Sequence, residues 1–337
     1  MNYVRSLQEL PWPAGTGLAV AVGVFDGVHR GHQRILHRLR RLAAATGARA
    51  VAVTFEPHPR AVLNPHNPPQ LLTPLPLKAR LLLAAGAEAV VVLPFSHELA
   101  FLKPAEFLQS CLLGTPFRLE AVCVGAGWRF GHLGAGDTRL LRHFGREHGF
   151  AVAAVRELHF HNGMVSSTRI RKSLREGRLR FAARLLGRPY AIEGEVVHGR
   201  GAGGPQLDCH TANVDCNGQL LPPHGVYAAR AVIEPDASPA AGAGPRHQPA
   251  IAYIGTARTL AAAAEPPRTV LECHLFDYDG TLYGRRLAVE LLEFVRPDQV
   301  FPTVATLRGQ IASDLLRVRE ITHAWHAMNK PDVPRVV

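Results

Sequence analysis

An α/β fold is what the order of hydrophobic patterns predicts, with a parallel sheet in the first part of the chain and an antiparallel β-barrel in the second. Three observations carry it. Short apolar runs alternate with helix-spaced ones as far as Gly187; beyond it come short strands punctuated by Gly and Pro; and one helical stretch closes the chain. At 337 residues the chain exceeds the roughly 250 at which a single core stops growing. Two domains are therefore expected, 1–186 and 187–325, followed by a tail, 326–337.

In the first domain, "GLAVAVGVF" reads as a buried strand and "GHQRILHRLRRLAAATG" as a helix ended by glycine. "ARAVAVTF" is a second strand, "LLTPLPLKARLLLAAG" a turn and helix, "AEAVVVLPF" a third strand, "KPAEFLQSCLLG" a helix and "LEAVCVG" a fourth strand. Right-handed crossovers then place a site at the carboxyl ends of the strands. Residues 25–32, 56–59 and 125–131 share that rim. In the second domain "YAIEGEVVHG", "GVYAARAVIE", "AIAYIGTA", "TVLECHLFDYDG" and "RRLAVELLEFV" read as barrel strands, with "PDASPAAGAGPRHQPA" as a long loop and "PTVATLRGQIASDLLRVREI" as the closing helix.

The net charge is +11, yet Lys78, Lys103, Lys172 and Lys330 are the only lysines, and no dense basic run is interleaved with aromatics. That pattern argues against nucleic acid and fits phosphorylated small molecules. Five widely spaced cysteines without a C-x-x-C pair are expected to be reduced thiols. Cys209, His210, Cys216 and His224 are the only zinc candidates, and they lack motif spacing. No apolar stretch approaches the roughly 18 residues of a membrane span, and the N-terminal segment has no signal-peptide core. A soluble, cytoplasmic protein with no membrane and no obligate protein partner is the expectation.

The segment "VFDGVHRGHQ" sets an Asp-Gly turn between a strand and a helix, with His29 and His32 three residues apart. Such a helix start points unpaired N–H groups and a positive dipole end outward, a ready anion site. Both histidines share one helical face, and Gly31 lets a phosphate chain approach the backbone. A pair of surface histidines, or two ligands of a metal, are the alternatives. Downstream, "VSSTRIRKSLREG" places Ser166, Ser167 and Thr168 before Arg169 and Arg171. The hydroxyls suit a helix cap and the arginines suit phosphate oxygens. Two such helix starts suggest ATP held at both ends.

G-x-F-D-G-x-H-x-G-H followed by S-S-T-x-I-R resembles the nucleotidyltransferase superfamily. With "TFEPHPR", "RFG" and "LLGRPYAIEGEVVHG" it resembles the bacterial bifunctional riboflavin kinase/FMN adenylyltransferases, from about residue 15 to residue 320. The resemblance implies a Rossmann-like nucleotidyltransferase domain that makes FAD and pyrophosphate from FMN and ATP. It implies that His29 and His32 hold the triphosphate, that Gly23, Phe25, Asp26 and Gly31 shape the nucleotide pocket, and that Ser167, Thr168 and Arg171 clamp the pyrophosphate end. Gly125 would lie by the flavin. Gly127 stands where the family usually has Asn or Asp. Loss of one hydrogen bond to a charged partner costs about 1.5–3 kcal/mol.

For the barrel the resemblance implies a riboflavin kinase, phosphorylating the ribityl hydroxyl to give FMN. Thr211 and Asn213 would bind Mg²⁺, Glu272 would be the general base, and Arg296 would lie near the flavin. A carboxylate in the middle of the apolar strand "TVLECHLF" is costly to bury without a purpose; an exposed edge-strand residue is the alternative. Pro205 and Asp208 interrupt the expected glycine-rich loop, and "GTARTL" moves Arg258 one place late and drops a proline. Two readings stay open here: a bifunctional enzyme, and an FMN adenylyltransferase whose barrel no longer phosphorylates.

Overall fold

The computed structural model describes residues 3–197, 211–216, 218–233, 246–256 and 269–328. Pro205, Asp208, Cys209, His210, Arg258 and most of the Ala/Gly/Pro-rich segment lie outside them. The chain divides into two compact units, Met1–Arg169 and Ile170–Val337.

The first unit is a five-stranded parallel sheet in the order β3-β2-β1-β4-β5. Its strands are β1 Gly17–Val22, β2 Arg49–Glu56, β3 Ala89–Pro94, β4 Arg118–Gly125 and β5 Ala151–Val155. β1 shows how both faces are covered. Leu18, Val20 and Val22 point into one apolar cluster, with Phe107, Leu108 and Leu141. Ala19 and Ala21 point into the other, beneath Leu36 and Leu39 of α1 (Arg30–Thr46) and Leu82 of α3 (Leu75–Ala84). A sheet buried on both faces needs continuous apolar runs, which is why the pattern was readable. α1 stops at Gly47, whose φ of 66° is the left-handed C-terminal cap.

Between these lie α2 (Pro59–Leu63), α4 (His97–Phe101) and α5 (Pro104–Leu108). The expected helix over 103–114 is α5 followed by a π-helical turn, Gln109–Leu113. α6 (Thr138–His148) and β5 add a fifth strand to the four expected. "AVAAV" is too short and too alanine-rich to announce itself; pairing with β4 makes it a strand.

α7 (Ser167–Arg175) and α8 (Leu179–Leu186) precede the barrel, α8 ending at Gly187 with φ 81°. The barrel is closed, in the order β10-β7-β6-β11-β8-β9, with every pair antiparallel. Its strands are β6 Tyr190–Val197, β7 Ala212–Val214, β8 Gly225–Ile233, β9 Arg246–Thr256, β10 Thr269–Leu275 and β11 Arg286–Pro297. Two differ from expectation. β7 is a strand of three residues where a turn would serve as well. β9 begins at Arg246, so "RHQPA", read as loop, is strand paired to β8. Pro249 is tolerated because β9 has there run past its last β10 pair, Leu275↔Ala250.

The closing helix α9, Val304–Met328, runs seven residues beyond the expected end at Ile321. It buries one stripe, Asp314, Val318 and Thr322, at i, i+4 and i+8. Arg230 ties it to the barrel through the Trp325 ring, 4.3 Å from the guanidinium. Arg296 of β11 engages both carboxylate oxygens of Asp314, Nε to Oδ1 at 3.1 Å and Nη2 to Oδ2 at 2.7 Å. Asp314→Ala is expected to destabilise by about 2–3 kcal/mol, because it leaves the part-buried Arg296 guanidinium without its counter-charge; urea unfolding of the variant measures it.

Candidate active sites

The turn between β1 and α1 is held from every side. Phe25, Gly27 and Val28 all have positive φ, 52°, 84° and 37°, and for a β-branched valine that is strained backbone. Burial and hydrogen bonds hold it there. Phe25 and Val28 are buried, and the Val28 N–H donates to the Phe25 carbonyl at 3.0 Å. Asp26 points inward: its carboxylate accepts the N–H groups of Leu72 at 3.0 Å and Thr73 at 3.0 Å. The Thr73 hydroxyl in turn accepts the Gly27 N–H at 3.0 Å. Asp26 thus shapes the turn from beneath. Leu72 and Thr73 were not legible as site residues, although a threonine before the proline that opens α3 was a signal.

His29 caps α1, with Nδ1 accepting the His32 N–H at 3.3 Å. That role requires a neutral ring carrying its proton on Nε2. The two imidazoles stack, centroids 3.6 Å apart and planes 17° from parallel, and the His32 ring meets Phe25 edge to face at 5.2 Å. Gly23 and Gly31 leave room for these rings: a Cβ on Gly23 would lie 3.0 Å from the Phe25 ring, and one on Gly31 3.1 Å from the His29 ring. In Gly31→Ala the His29 ring must give by a few tenths of an ångström, a cost set against the helix preference of alanine, so the melting temperature should change little. FAD formation should fall about tenfold, because misplaced groups lose rate steeply; melting and steady-state assays on one preparation separate the two.

The downstream segment reaches the same turn: the Ser167 hydroxyl donates to the Asp26 carbonyl at 2.8 Å. Ser166 caps α7, its Oγ accepting the Arg169 N–H at 3.3 Å. Arg169 is turned back onto the carbonyls of Phe160 and Gly163, each at 2.7 Å. Its guanidinium is thus engaged by that loop, with Nη2 also on the His161 carbonyl at 3.1 Å. Thr168 is exposed at the helix start and Arg171 is buried. Gly125 closes β4, its carbonyl accepting the Trp128 N–H at 3.0 Å, and Trp128 stacks on Phe130 at 4.7 Å. A Cβ on Gly127 would lie 3.3 Å from Glu157 Oε1, so a carboxylate borders the place where the family has a polar side chain.

In the barrel, register brings together what sequence separates. Glu272 of β10 lies directly opposite Asn213 of β7 on one side and Tyr253 of β9 on the other. Side chains directly opposite in an antiparallel pair share a face, with Cβ atoms about 5 Å apart. Leu271, Cys273 and Leu275 fill the interior, so Glu272 and its two neighbours stand on the outer face. Burial pushes the Glu272 carboxyl above the usual carboxylate range. A cavity of about 450 Å³ opens at the barrel, lined by Thr211, Ala212, Cys273, His274, Asp279 and Tyr283 among others, and Glu272 is not part of its lining. Arg296 lies in the Asp314 clasp, with Nη1 on the Pro297 carbonyl at 3.1 Å.

Two non-overlapping segments match described families: residues 13–169 match FAD synthetase and residues 186–322 match riboflavin kinase. The bifunctional riboflavin kinase/FMN adenylyltransferase of Escherichia coli K12 is 34% identical over 320 residues, covering 95% of this chain and 97% of its own. The chain belongs to the bifunctional riboflavin kinase/FMN adenylyltransferase family. The Pseudomonas fluorescens member is 35% identical over 95% of this chain and 98% of its own. A solved structure described as a macrolide-efflux protein from Streptococcus pneumoniae has the same fold, with TM-score 0.77, 25% identity, and coverage of 94% of this chain and 97% of that one. Among the described residues no helix is long and apolar enough to cross a membrane. As a bifunctional riboflavin kinase/FMN adenylyltransferase, the chain phosphorylates riboflavin to FMN and adenylylates FMN to FAD. That both halves match decides between the two readings left open by the sequence.

Proposed function

We propose that the first unit carries out adenylyl transfer at the histidine turn, and that the barrel phosphorylates riboflavin at the outer face bearing Asn213 and Glu272. The observation that carries the first assignment is the Ser167–Asp26 hydrogen bond, which joins the two phosphate-friendly segments. The register Asn213↔Glu272 supports the second.

In adenylyl transfer the FMN phosphate is itself the nucleophile, so the protein needs only to align the reactants and neutralise charge. The first N–H groups of α1 and the Nε2–H groups of the stacked His29 and His32 would face the triphosphate. Ser167 and Thr168 at the start of α7 would bind its pyrophosphate end. Gly23, Phe25, Asp26 and Gly31 set the geometry, and Gly125 borders the flavin.

In phosphorylation, Glu272 would take the proton from the ribityl hydroxyl as that oxygen attacks the γ-phosphorus of ATP, breaking its bond to the bridging oxygen and releasing ADP. Thr211 and Asn213 offer hydroxyl and amide oxygens, which suit a hard cation, and we assign them to Mg²⁺. When bound, Mg²⁺ neutralises phosphate charge. Thr211 also lines the barrel cavity, which would take the nucleotide. Arg296 would meet the flavin as part of its clasp with Asp314 rather than as a free cation.

The test is chromatography of flavins after incubation with ATP and Mg²⁺, with riboflavin and FMN supplied separately. Riboflavin should pass through FMN to FAD. Conversion of FMN alone would overturn the barrel assignment.

A further inference from the structure

Lys78 of α3 is a buried cation to which the two reactions give no role. Its side chain is 5% exposed, and lysine is rarely buried so far unless it is paired. Nζ donates to the Phe55 carbonyl at 3.1 Å and stands 3.7 Å from Glu56 Oε2, tying α3 to the carboxyl end of β2. Burial lowers its pKa, against the opposing pull of the Glu56 and Asp26 charges. The lead-in to the same helix is held by Asp26 through Leu72 and Thr73. The end of β2 also touches the turn, the Thr54 hydroxyl donating to the Val24 carbonyl at 2.9 Å. α3 is therefore bound to the histidine turn by two routes, one through Asp26 and one through Lys78.

We propose that Lys78 is a positioning residue for adenylyl transfer. By holding Phe55 and Glu56 at the rim and facing its charge toward Asp26, it keeps the Phe25–Val28 turn in the conformation that presents α1 and the histidine pair to ATP. This rests on the assignment of that turn to the nucleotide. Lys78 touches no substrate; it acts through the turn.

The experiment is steady-state FAD formation from FMN by Lys78→Met, Lys78→Arg and the double variant Glu56→Gln/Lys78→Met. Riboflavin phosphorylation by the same full chain serves as the control. Lys78→Met should raise KM for ATP in FAD formation about tenfold, with kcat little changed and riboflavin phosphorylation unchanged. Lys78→Arg, which keeps the cation, should recover most of that loss. Should Lys78→Met fold poorly, the double variant, which leaves Glu56 uncharged, carries the same comparison, and its KM should stay raised. An unchanged KM in Lys78→Met, or a wild-type KM in the double variant, would overturn the proposal. His29→Ala separates the two levels: FAD formation lost there but intact in Lys78→Met sinks only the role of Lys78. Indifference of both variants sinks the assignment of the turn.

Discussion

Glu272→Gln is expected to lower riboflavin phosphorylation by about 10²- to 10⁴-fold, the range a positioned general base supplies, while conversion of FMN to FAD by the same chain continues. The amide keeps the shape of the side chain and its place opposite Asn213; it cannot accept a proton. The wild-type pH profile carries a second signature. Burial raises the Glu272 pKa, so the base form is depleted at pH values where an ordinary carboxylate is ionised. The acid limb of kinase kcat/KM should therefore lie above the usual carboxylate range, and it should vanish from the residual activity of the variant.

Stability moves in the opposite sense. A carboxyl whose folded pKa is raised contributes stability that is full below the unfolded value and is lost as pH rises through the folded one. In the wild-type chain that contribution is lost as pH rises through the raised value, whereas Glu272→Gln has no charge to desolvate. The variant should be at least as stable as the wild type at neutral pH, with the two converging on acidification. Thermal unfolding across pH 4 to about 8 reads this directly. A variant that keeps full kinase turnover would remove Glu272 from the mechanism and leave the barrel intact.

His29→Ala with His32→Ala should abolish most FAD formation, by about 10²- to 10³-fold, the size expected when preorganised donors are removed from a site of developing charge. Riboflavin phosphorylation should persist, so FMN should accumulate when riboflavin is supplied. Because the rings stack at 3.6 Å, the two substitutions are not expected to add. The second loss should be smaller than the first, since either single change frees the remaining ring to move. Single and double variants assayed with FMN and ATP give the coupling directly.

Sequence patterns were sufficient for the parallel sheet and the barrel because the chain repeats its core-facing residues with clear periods. β1 and β3 are apolar throughout, as strands covered on both faces must be. β10 alternates Leu271, Cys273 and Leu275 inward with Glu272 outward, as a barrel wall must. Where the period is short or interrupted, tertiary pairing decided. β5 exists through β4, and "RHQPA" is strand through β8.

The same division holds for the sites. By itself the sequence determined the chemistry: a helix start with two histidines, hydroxyls before a second helix, a carboxylate in an apolar strand, and hydroxyl and amide oxygens for a cation. These are properties of residue type and spacing. Which polar group meets which was left to the tertiary structure. Asp26 turned inward onto Leu72 and Thr73, Ser167 reached the Asp26 carbonyl, Arg169 went to loop carbonyls, and Arg296 clasped Asp314. The reason is physical. A buried polar group must find a partner, and the partner is whichever complementary group the packed chain brings within about 3 Å, here from nine residues away for Arg169 and Phe160 to 141 for Ser167 and Asp26.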